Sequence, residues 1–162
     1  MVEVAPGLWV GTVAEARIKL HTTGWAIANV AKTLHLDLHG WKNSDPASQH
    51  YILHKTPEWI SLNWVDAADP ALFDYRGAGV ERVHAILAWI SRSLMAGKQV
   101  LVCCDQGQSR SACIGMLYLA KYLHTIPGSS FDDASAAFRT LYPSYDPGRG
   151  VAGFLKEKWE MI

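Results

Sequence analysis

Cysteine is scarce in this chain and confined to one region. The three cysteines of the 162 residues are Cys103, Cys104 and Cys113. Thiols so few and so close together cannot build a disulfide framework for a domain of this size, which indicates a reducing compartment, and we expect a cytoplasmic protein. They lack the spacing of a zinc site, and two adjacent cysteines are poorly placed to bind one metal ion tetrahedrally. We therefore predict no metal site and no cofactor.

The chain also lacks an excess of charge and a long hydrophobic run. Lys plus Arg and Asp plus Glu number 15 each, so nothing indicates nucleic acid or an acidic membrane surface as a partner. Without a run of about 18 apolar residues, no membrane-spanning helix is predicted. Residues 1–7 contain no basic segment before an apolar stretch, so we expect no signal peptide. The length suits a single domain, which we assign to residues 1–162.

One segment, residues 100–111, stands out from the rest. Three apolar residues run into Cys103 and Cys104, a polar loop containing Gly107 follows, and Arg110 leads into a second apolar run. This pattern predicts a buried strand, a loop and a buried helix. Unpaired N–H groups and the dipole at a helix start favour negative charge, so they would stabilise a Cys104 thiolate, which is the nucleophilic form.

The spacing from Cys104 to Arg110 is C-x5-R. A five-residue loop can curl so that its N–H groups and the guanidinium converge above the sulfur. A tetrahedral phosphate fits such a point, because arginine can bind two of its oxygens in a fork. A structural thiol is the alternative, but the glycine, the arginine spacing and the strand–loop–helix context favour a phosphate-binding loop.

The remaining chain alternates strands and helices. We predict strands at 8–12, 25–31 and 59–65 and in the run entering Cys103, and helices at 13–21, 80–94, 112–123, 131–141 and 153–161. The order and the apolar central strands favour an α/β fold, with a central mixed sheet flanked by helices. The loop then lies at the carboxyl end of a strand, where ligands bind in open α/β sheets.

Residues 32–57 give the weakest signal. They are rich in His, Ser, Asn and Gly, and we expect one long surface excursion there. Trp41 within it either contacts substrate or, more commonly for a loop tryptophan, packs back on its own loop. The seven histidines show no metal-type pairing on a helix, and we expect them, His84 included, at the surface.

The loop segment resembles the cysteine-dependent protein phosphatases, most closely the small dual-specificity branch. Cys104, Gly107, Arg110 and Ser111 fall on the motif H-C-x-x-G-x-x-R-S/T. The resemblance implies a dual-specificity phosphatase-like fold and hydrolysis of phosphotyrosine and phosphoserine or phosphothreonine in proteins. It also implies a phosphocysteine intermediate and a phosphorylated protein as partner.

The resemblance assigns further roles by position. Ser111 matches a hydroxyl that hydrogen-bonds the leaving thiolate, and a purely local backbone contact is the alternative. The loop residues implied to bind phosphate are Asp105, Gln106, Gly107, Gln108, Ser109 and Arg110. Asp105 and Gln106 would lend only backbone N–H groups, and the negative sign of Asp105 argues against inositol-lipid substrates. Cys103 departs from the motif, because the family has a histidine there that helps to hold the loop.

Hydrolysis of a phosphomonoester also needs an acid for the leaving oxygen. In the resembling branch this acid follows an apolar strand, and Asp66 occupies that place. Asp69, before a proline, is the alternative, and Asp74 stays open. The separation between Asp66 and Cys104, 104 − 66 = 38 residues, is long for the branch and predicts an insertion within 67–79.

Two other classes of function stay open. A phosphate-binding pseudophosphatase would keep the loop without turnover, although cysteine, arginine and acid together disfavour it. A thiol redox protein would use the three cysteines, but C-x-x-C is absent and a disulfide between adjacent cysteines closes a strained eight-membered ring.

Overall fold

The computed structural model describes all 162 residues and is built on a six-stranded sheet. Its strands are β1 (Val2–Ala5), β2 (Leu8–Thr12), β3 (Trp25–Asn29), β4 (Leu53–Lys55), β5 (Trp59–Leu62) and β6 (Gln99–Cys104). The order across the sheet is β1-β2-β6-β3-β5-β4. The four central strands are parallel, and β1 and β4 pair antiparallel at the two edges. The predicted mixed sheet is therefore confirmed.

Six α-helices surround the sheet. They are α1 (Val13–Lys19), α2 (Lys32–His39), α3 (Gly79–Met95), α4 (Arg110–Leu117), α5 (Phe131–Leu141) and α6 (Arg149–Lys158). A π-helical stretch, Tyr118–Leu123, extends α4, and 3-10 turns form at Pro70–Gly77 and Trp159–Met161. None of these helices combines the length and the hydropathy that a membrane-spanning segment needs.

Side-chain caps explain where two of the helices begin. Thr12 and Glu15 form a reciprocal capping box at the start of α1, and the Ser130 hydroxyl accepts a hydrogen bond from the Asp133 N–H at the start of α5. The start of α5 agrees with its prediction from the serine pair before Phe131.

Strand β6 lies at the centre of the core. Its residues Val100 to Cys104 are at most 1% exposed, since helices cover both faces of the sheet. Helices α1 and α2 lie on the face of Cys103, and α4 lies on the face of Cys104 together with α3, α5 and α6. Successive side chains of a strand point to opposite faces, so the two adjacent thiols are separated by the sheet.

The predicted surface excursion at 32–57 is wrong. Residues 32–39 form α2, whose Leu34 and His35 are almost fully buried, and residues 53–55 form the edge strand β4. Three other elements also differ from prediction. Strand β1 had not been predicted, α4 passes into a π-helix, and α6 begins four residues before the predicted start at 153.

The expectation that all histidines lie at the surface is wrong for His35. Its ring lies 4.5 Å from the His39 ring in a tilted arrangement, and the His39 ring stacks on Trp41 with the centroids 4.3 Å apart. Trp41 therefore packs back on its own segment. His39 Nε2 lies 2.9 Å from His54 Nδ1, yet these side chains form no group of three or more ligands that could hold a metal ion.

Candidate active site

The loop between β6 and α4 carries the predicted nucleophile. β6 ends at Cys104 and α4 begins at Arg110, so the chain reverses within five residues. Gly107 has φ +75°, and a Cβ there would lie 3.1 Å from the Gly11 carbonyl. The turn therefore requires glycine for both its conformation and its close approach to β2.

Three contacts hold the outer side of this loop. Tyr142 Oη donates to the Gly107 carbonyl at 3.0 Å, and the Asp146 N–H donates to the Gln108 carbonyl at 3.0 Å. The Gly148 N–H donates to Ser109 Oγ at 2.8 Å. The start of α6 also touches the segment after β5, since a Cβ on Gly150 would lie 2.1 Å from the Ala67 carbonyl oxygen.

Cys104 lies at the base of the loop and is 1% exposed. Its Sγ is 3.1 Å from Ser111 Oγ, within hydrogen-bonding distance for sulfur. Ser111 Oγ is also 3.3 Å from the Gly11 carbonyl. The hydroxyl is thus placed to donate to a thiolate. It also contacts the backbone, at the Gly11 carbonyl.

Arg110 is almost fully buried, with 2% of its side chain exposed. Its Nη1 donates to the Trp64 carbonyl at 2.8 Å and its Nη2 donates to Asp105 Oδ2 at 2.6 Å. Its Nε is buried and has no hydrogen-bond partner. A buried cationic N–H without a partner is unfavourable by about 1–3 kcal/mol or more, so a hydrogen-bond acceptor that reached Nε would be stabilising.

Of the three candidate acids, Asp66 lies beside the arginine. Its Oδ2 is 3.7 Å from Arg110 Nη2, and its side chain is 64% exposed. Asp69 accepts from the Ala71 N–H and caps the 3-10 turn, and Asp74 accepts from the Gly79 N–H and pairs with Lys158. That turn, Pro70–Gly77, lies within the range where the insertion was predicted.

Asp105 has a side-chain role that the sequence analysis missed. Its Oδ2 accepts from Arg110, and its Oδ1 accepts from Thr33 Oγ1 in the first turn of α2. Partial burial opposes ionisation, but these hydrogen bonds outweigh it and lower the pKa of Asp105. The carboxylate therefore stays charged beside the guanidinium.

Cys103 faces away from the loop into a buried polar chain. Its thiol donates to Asn29 Oδ1 at 3.6 Å, and Asn29 Nδ2 donates to Ser61 Oγ at 2.8 Å. Ser61 Oγ lies 2.8 Å from His35 Nδ1, and His35 Nε2 donates to the His50 carbonyl at 3.0 Å. A neutral His35 satisfies every contact in this series of hydrogen bonds.

The two other thiols are shielded. Burial raises the pKa of Cys103 well above its ordinary value, and burial raises the pKa of Cys113 to about 12. Both are 0% exposed, and all three cysteines are free thiols. Cys113 lies 3.8 Å from Tyr145 Oη, in the helix layer behind the loop.

Neither a family model nor a curated protein matches the sequence. Solved structures do match it. Human DUSP28 aligns at a TM-score of 0.64 with 21% identity, over 99% of this chain and 93% of that one. The human tyrosine phosphatase-like serine/threonine/tyrosine-interacting protein aligns at 0.62 with 19% identity, over 98% of this chain and 95% of that one.

A mouse putative dual specificity phosphatase, solved with zinc tungstate, aligns at a TM-score of 0.59 with 23% identity, over 98% of this chain and 85% of that one. Likeness at this level of identity establishes the fold. The chain has the dual-specificity phosphatase fold, as the resemblance of the loop segment implied.

Proposed function

We propose that this protein is a cysteine-dependent phosphatase that hydrolyses phosphomonoesters on proteins. The observation that carries the proposal is the buried Arg110, whose Nε has no partner, in the same short loop as Cys104. A phosphate oxygen would accept from that N–H, and the loop N–H groups would donate to the other oxygens. The tetrahedral oxyanion tungstate in the mouse neighbour's structure is in keeping with such a site.

The proposed reaction has two displacements. Cys104 Sγ attacks phosphorus as the bond to the leaving oxygen breaks, and Asp66 gives that oxygen its proton. Water then attacks the phosphocysteine, Asp66 takes a proton from it, and the thiolate leaves with the Ser111 hydroxyl donating to the sulfur. Arg110 and the loop N–H groups stabilise the equatorial oxygens in both steps. These steps use only this chain's side chains and backbone N–H groups, and water.

The proposed substrates are phosphotyrosine, phosphoserine and phosphothreonine in proteins. Asp66 is largely exposed, so the acid lies at the solvent boundary of the site, where leaving groups of different length can reach it. The Asp105 carboxylate on Arg110 disfavours inositol compounds that carry several phosphates, because it adds negative charge at the phosphate site. Turnover of three matched phosphopeptides and of an inositol phosphate tests this preference, and a clear preference for the inositol phosphate would contradict it.

A pair of variants tests the activity itself. Cys104→Ser should abolish hydrolysis of an aryl phosphate and keep phosphate binding, since Arg110 and the loop remain. Arg110→Lys should lose most of the turnover, because lysine has no planar fork. Near wild-type turnover in Cys104→Ser would overturn the proposal, and phosphate binding by a wild-type protein without turnover would identify a phosphate-binding module instead.

A further inference from the structure

A cavity of about 350 Å³, separate from the Cys104 loop, carries arginine and aromatic side chains. Its wall includes Ser48, Gln49, Tyr51, Tyr75, Arg76 and Arg82. Ser48, Gln49 and Tyr51 come from the segment before β4, Tyr75 and Arg76 from the 3-10 turn Pro70–Gly77, and Arg82 from α3. The proposed mechanism uses none of them.

The cavity lies at the same edge of the sheet as the phosphate loop. β4 begins where the parallel strand β5 ends, with Leu53 opposite Leu62, so the segment before β4 is at the carboxyl edge. The loop after β6 is at that edge too, because β3 pairs in parallel with both β5 and β6.

Four consecutive residues connect the cavity to the loop. Asn63 Nδ2 donates to the Tyr51 carbonyl in the cavity wall, the Trp64 carbonyl accepts from Arg110, and Asp66 lies beside Arg110. An extended chain advances at most about 3.6 Å per residue, so at most about 11 Å separate Asn63 from Asp66. A substrate peptide spans that distance with about three to four residues.

The two arginines are held together without a carboxylate partner. Arg76 and Arg82 lie 5.2 Å and 5.9 Å from the centroid of the Tyr75 ring, and neither is in an ion pair. Arg76 has φ +58°, in the left-handed region that is unfavourable for a residue with a side chain. Like charge at one place opposes folding, and a bound anion would offset it.

Two acids, Asp74 and Glu81, lie near the two arginines. Partial burial lowers the pKa of Arg82, the neighbouring Asp74 and Glu81 act against that shift, and the charge of Arg76 adds to it. Asp74 is engaged by Lys158 and by the Gly79 N–H. Of the two acids, only Glu81 then lacks a cationic partner of its own, so one unpaired carboxylate stands against the charges of two arginines.

We propose that this cavity is a subsite for a second anionic group of the phosphoprotein substrate. The group is a carboxylate or a second phosphate on a side chain about three to four residues from the phosphate that is hydrolysed. The guanidiniums pair with the anion, and the tyrosine rings cover the peptide beside it. This inference rests on the proposed function, since it assigns a specificity determinant to the same substrate.

Matched phosphopeptides test the subsite. One peptide has neutral flanks, a second carries glutamate, and a third carries a second phosphorylated residue, placed in turn two to four residues to either side of the phosphoresidue. At one of these positions we expect kcat/KM to be about threefold to tenfold higher for the better anionic peptide than for the neutral peptide. The ratio of these two kcat/KM values should fall as the salt concentration rises. The glutamate and phosphate peptides show which anion the cavity prefers.

Two variants connect that ratio to the cavity. Arg76→Asn removes the charge and suits a left-handed backbone, and Arg82→Gln removes the second charge; each should bring the ratio close to one. Arg92→Gln, near the other end of α3, is the matched control and should leave the ratio unchanged. Loss of kcat/KM on the neutral and anionic peptides alike would mean that the arginines act structurally, and it would overturn the subsite.

The design separates two failures. If all the peptides are hydrolysed equally well, the subsite is wrong and the phosphatase proposal stands. If none is hydrolysed, the phosphatase proposal fails, and fluorescence anisotropy of the labelled peptides decides the subsite. Tighter binding of an anionic peptide to wild-type protein than to Arg76→Asn then supports it, and equal binding refutes it.

Discussion

Asp105 Oδ2 accepts a hydrogen bond from Arg110 Nη2 at 2.6 Å, within one five-residue reversal of the chain. Thr33 binds the other carboxylate oxygen, so α2 takes part in the orientation of the arginine. The carboxylate has two opposed effects. It holds the guanidinium in place, and it would repel the phosphate that the guanidinium is proposed to bind.

Replacing Asp105 by asparagine should tighten oxyanion binding. Asp105→Asn keeps an acceptor for Arg110 and removes the negative charge beside the phosphate position. We expect the competitive inhibition constant of vanadate to fall about threefold to tenfold, with a smaller fall at high salt. Asp37→Asn, which removes an exposed carboxylate from α2, is the control. A weaker affinity in Asp105→Asn would show that orientation of Arg110 is the larger effect.

Asp66→Asn should remove the pH–rate limb that requires a protonated acid. The rate loss should be greatest with poor leaving groups, because nitrophenolate needs little protonation. Asp69→Asn is the matched control, since Asp69 caps the 3-10 turn. The assignment of the acid is wrong if Asp69→Asn flattens that limb and Asp66→Asn leaves it intact.

His35 should make the fold less stable in mild acid. Burial and the charges of His39 and His54 lower the pKa of His35 to about 4 from its ordinary value of 6.5. Between these pH values the unfolded chain binds the proton and the folded chain does not, so stability falls as pH falls from 6.5 towards 4. The loss amounts to about 3 kcal/mol of unfolding free energy.

Urea unfolding of wild type and of His35→Gln across this pH range measures the effect. The slope of the unfolding free energy against pH should be smaller in the variant by about 1.4 kcal/mol per pH unit, because one proton-binding group has been removed. His84→Gln, on the exposed side of α3, should keep the wild-type slope. Equal slopes in His35→Gln and wild type would contradict the assignment.

Peroxide should inactivate the protein in a way that dithiothreitol does not reverse. Cys104 is the thiol of the reactive loop, whereas Cys103 and Cys113 are fully buried and their pKa values are raised, so neither is suited to resolve a sulfenic acid. Prolonged excess peroxide should then add two oxygens to Cys104, as intact mass measures. Recovery of activity with dithiothreitol, or loss of two hydrogens on forming a disulfide, would contradict this.

The parts that sequence predicts well are local. The C-x5-R loop, its strand and its helix follow from twelve adjacent residues, and the fold class follows from the same segment and the apolar strands. Asp66 could be proposed because it directly follows a strand. Its distance from Arg110 depends on how that strand pairs, so only the structure places the two side by side.

The parts that sequence missed depend on distant contacts. In α2, Leu34, Leu36 and Leu38 alternate as in a strand, and the helix forms because Leu34 and His35 are buried and Gly40 ends it in a left-handed conformation. The partner of Asp105 on that helix is 72 residues earlier in the chain. No local pattern contains that contact.

Helix α6 contributes no reacting atom, yet it touches both halves of the site. At its start, the Gly148 N–H holds Ser109 in the phosphate loop, and Gly150 packs without a side chain against Ala67, next to Asp66. A helix outside the sheet therefore helps to align the proposed proton donor, Asp66, with the Cys104 sulfur. If the loop and the Asp66 segment were grafted into another protein without α6, the reacting groups would be present but not aligned.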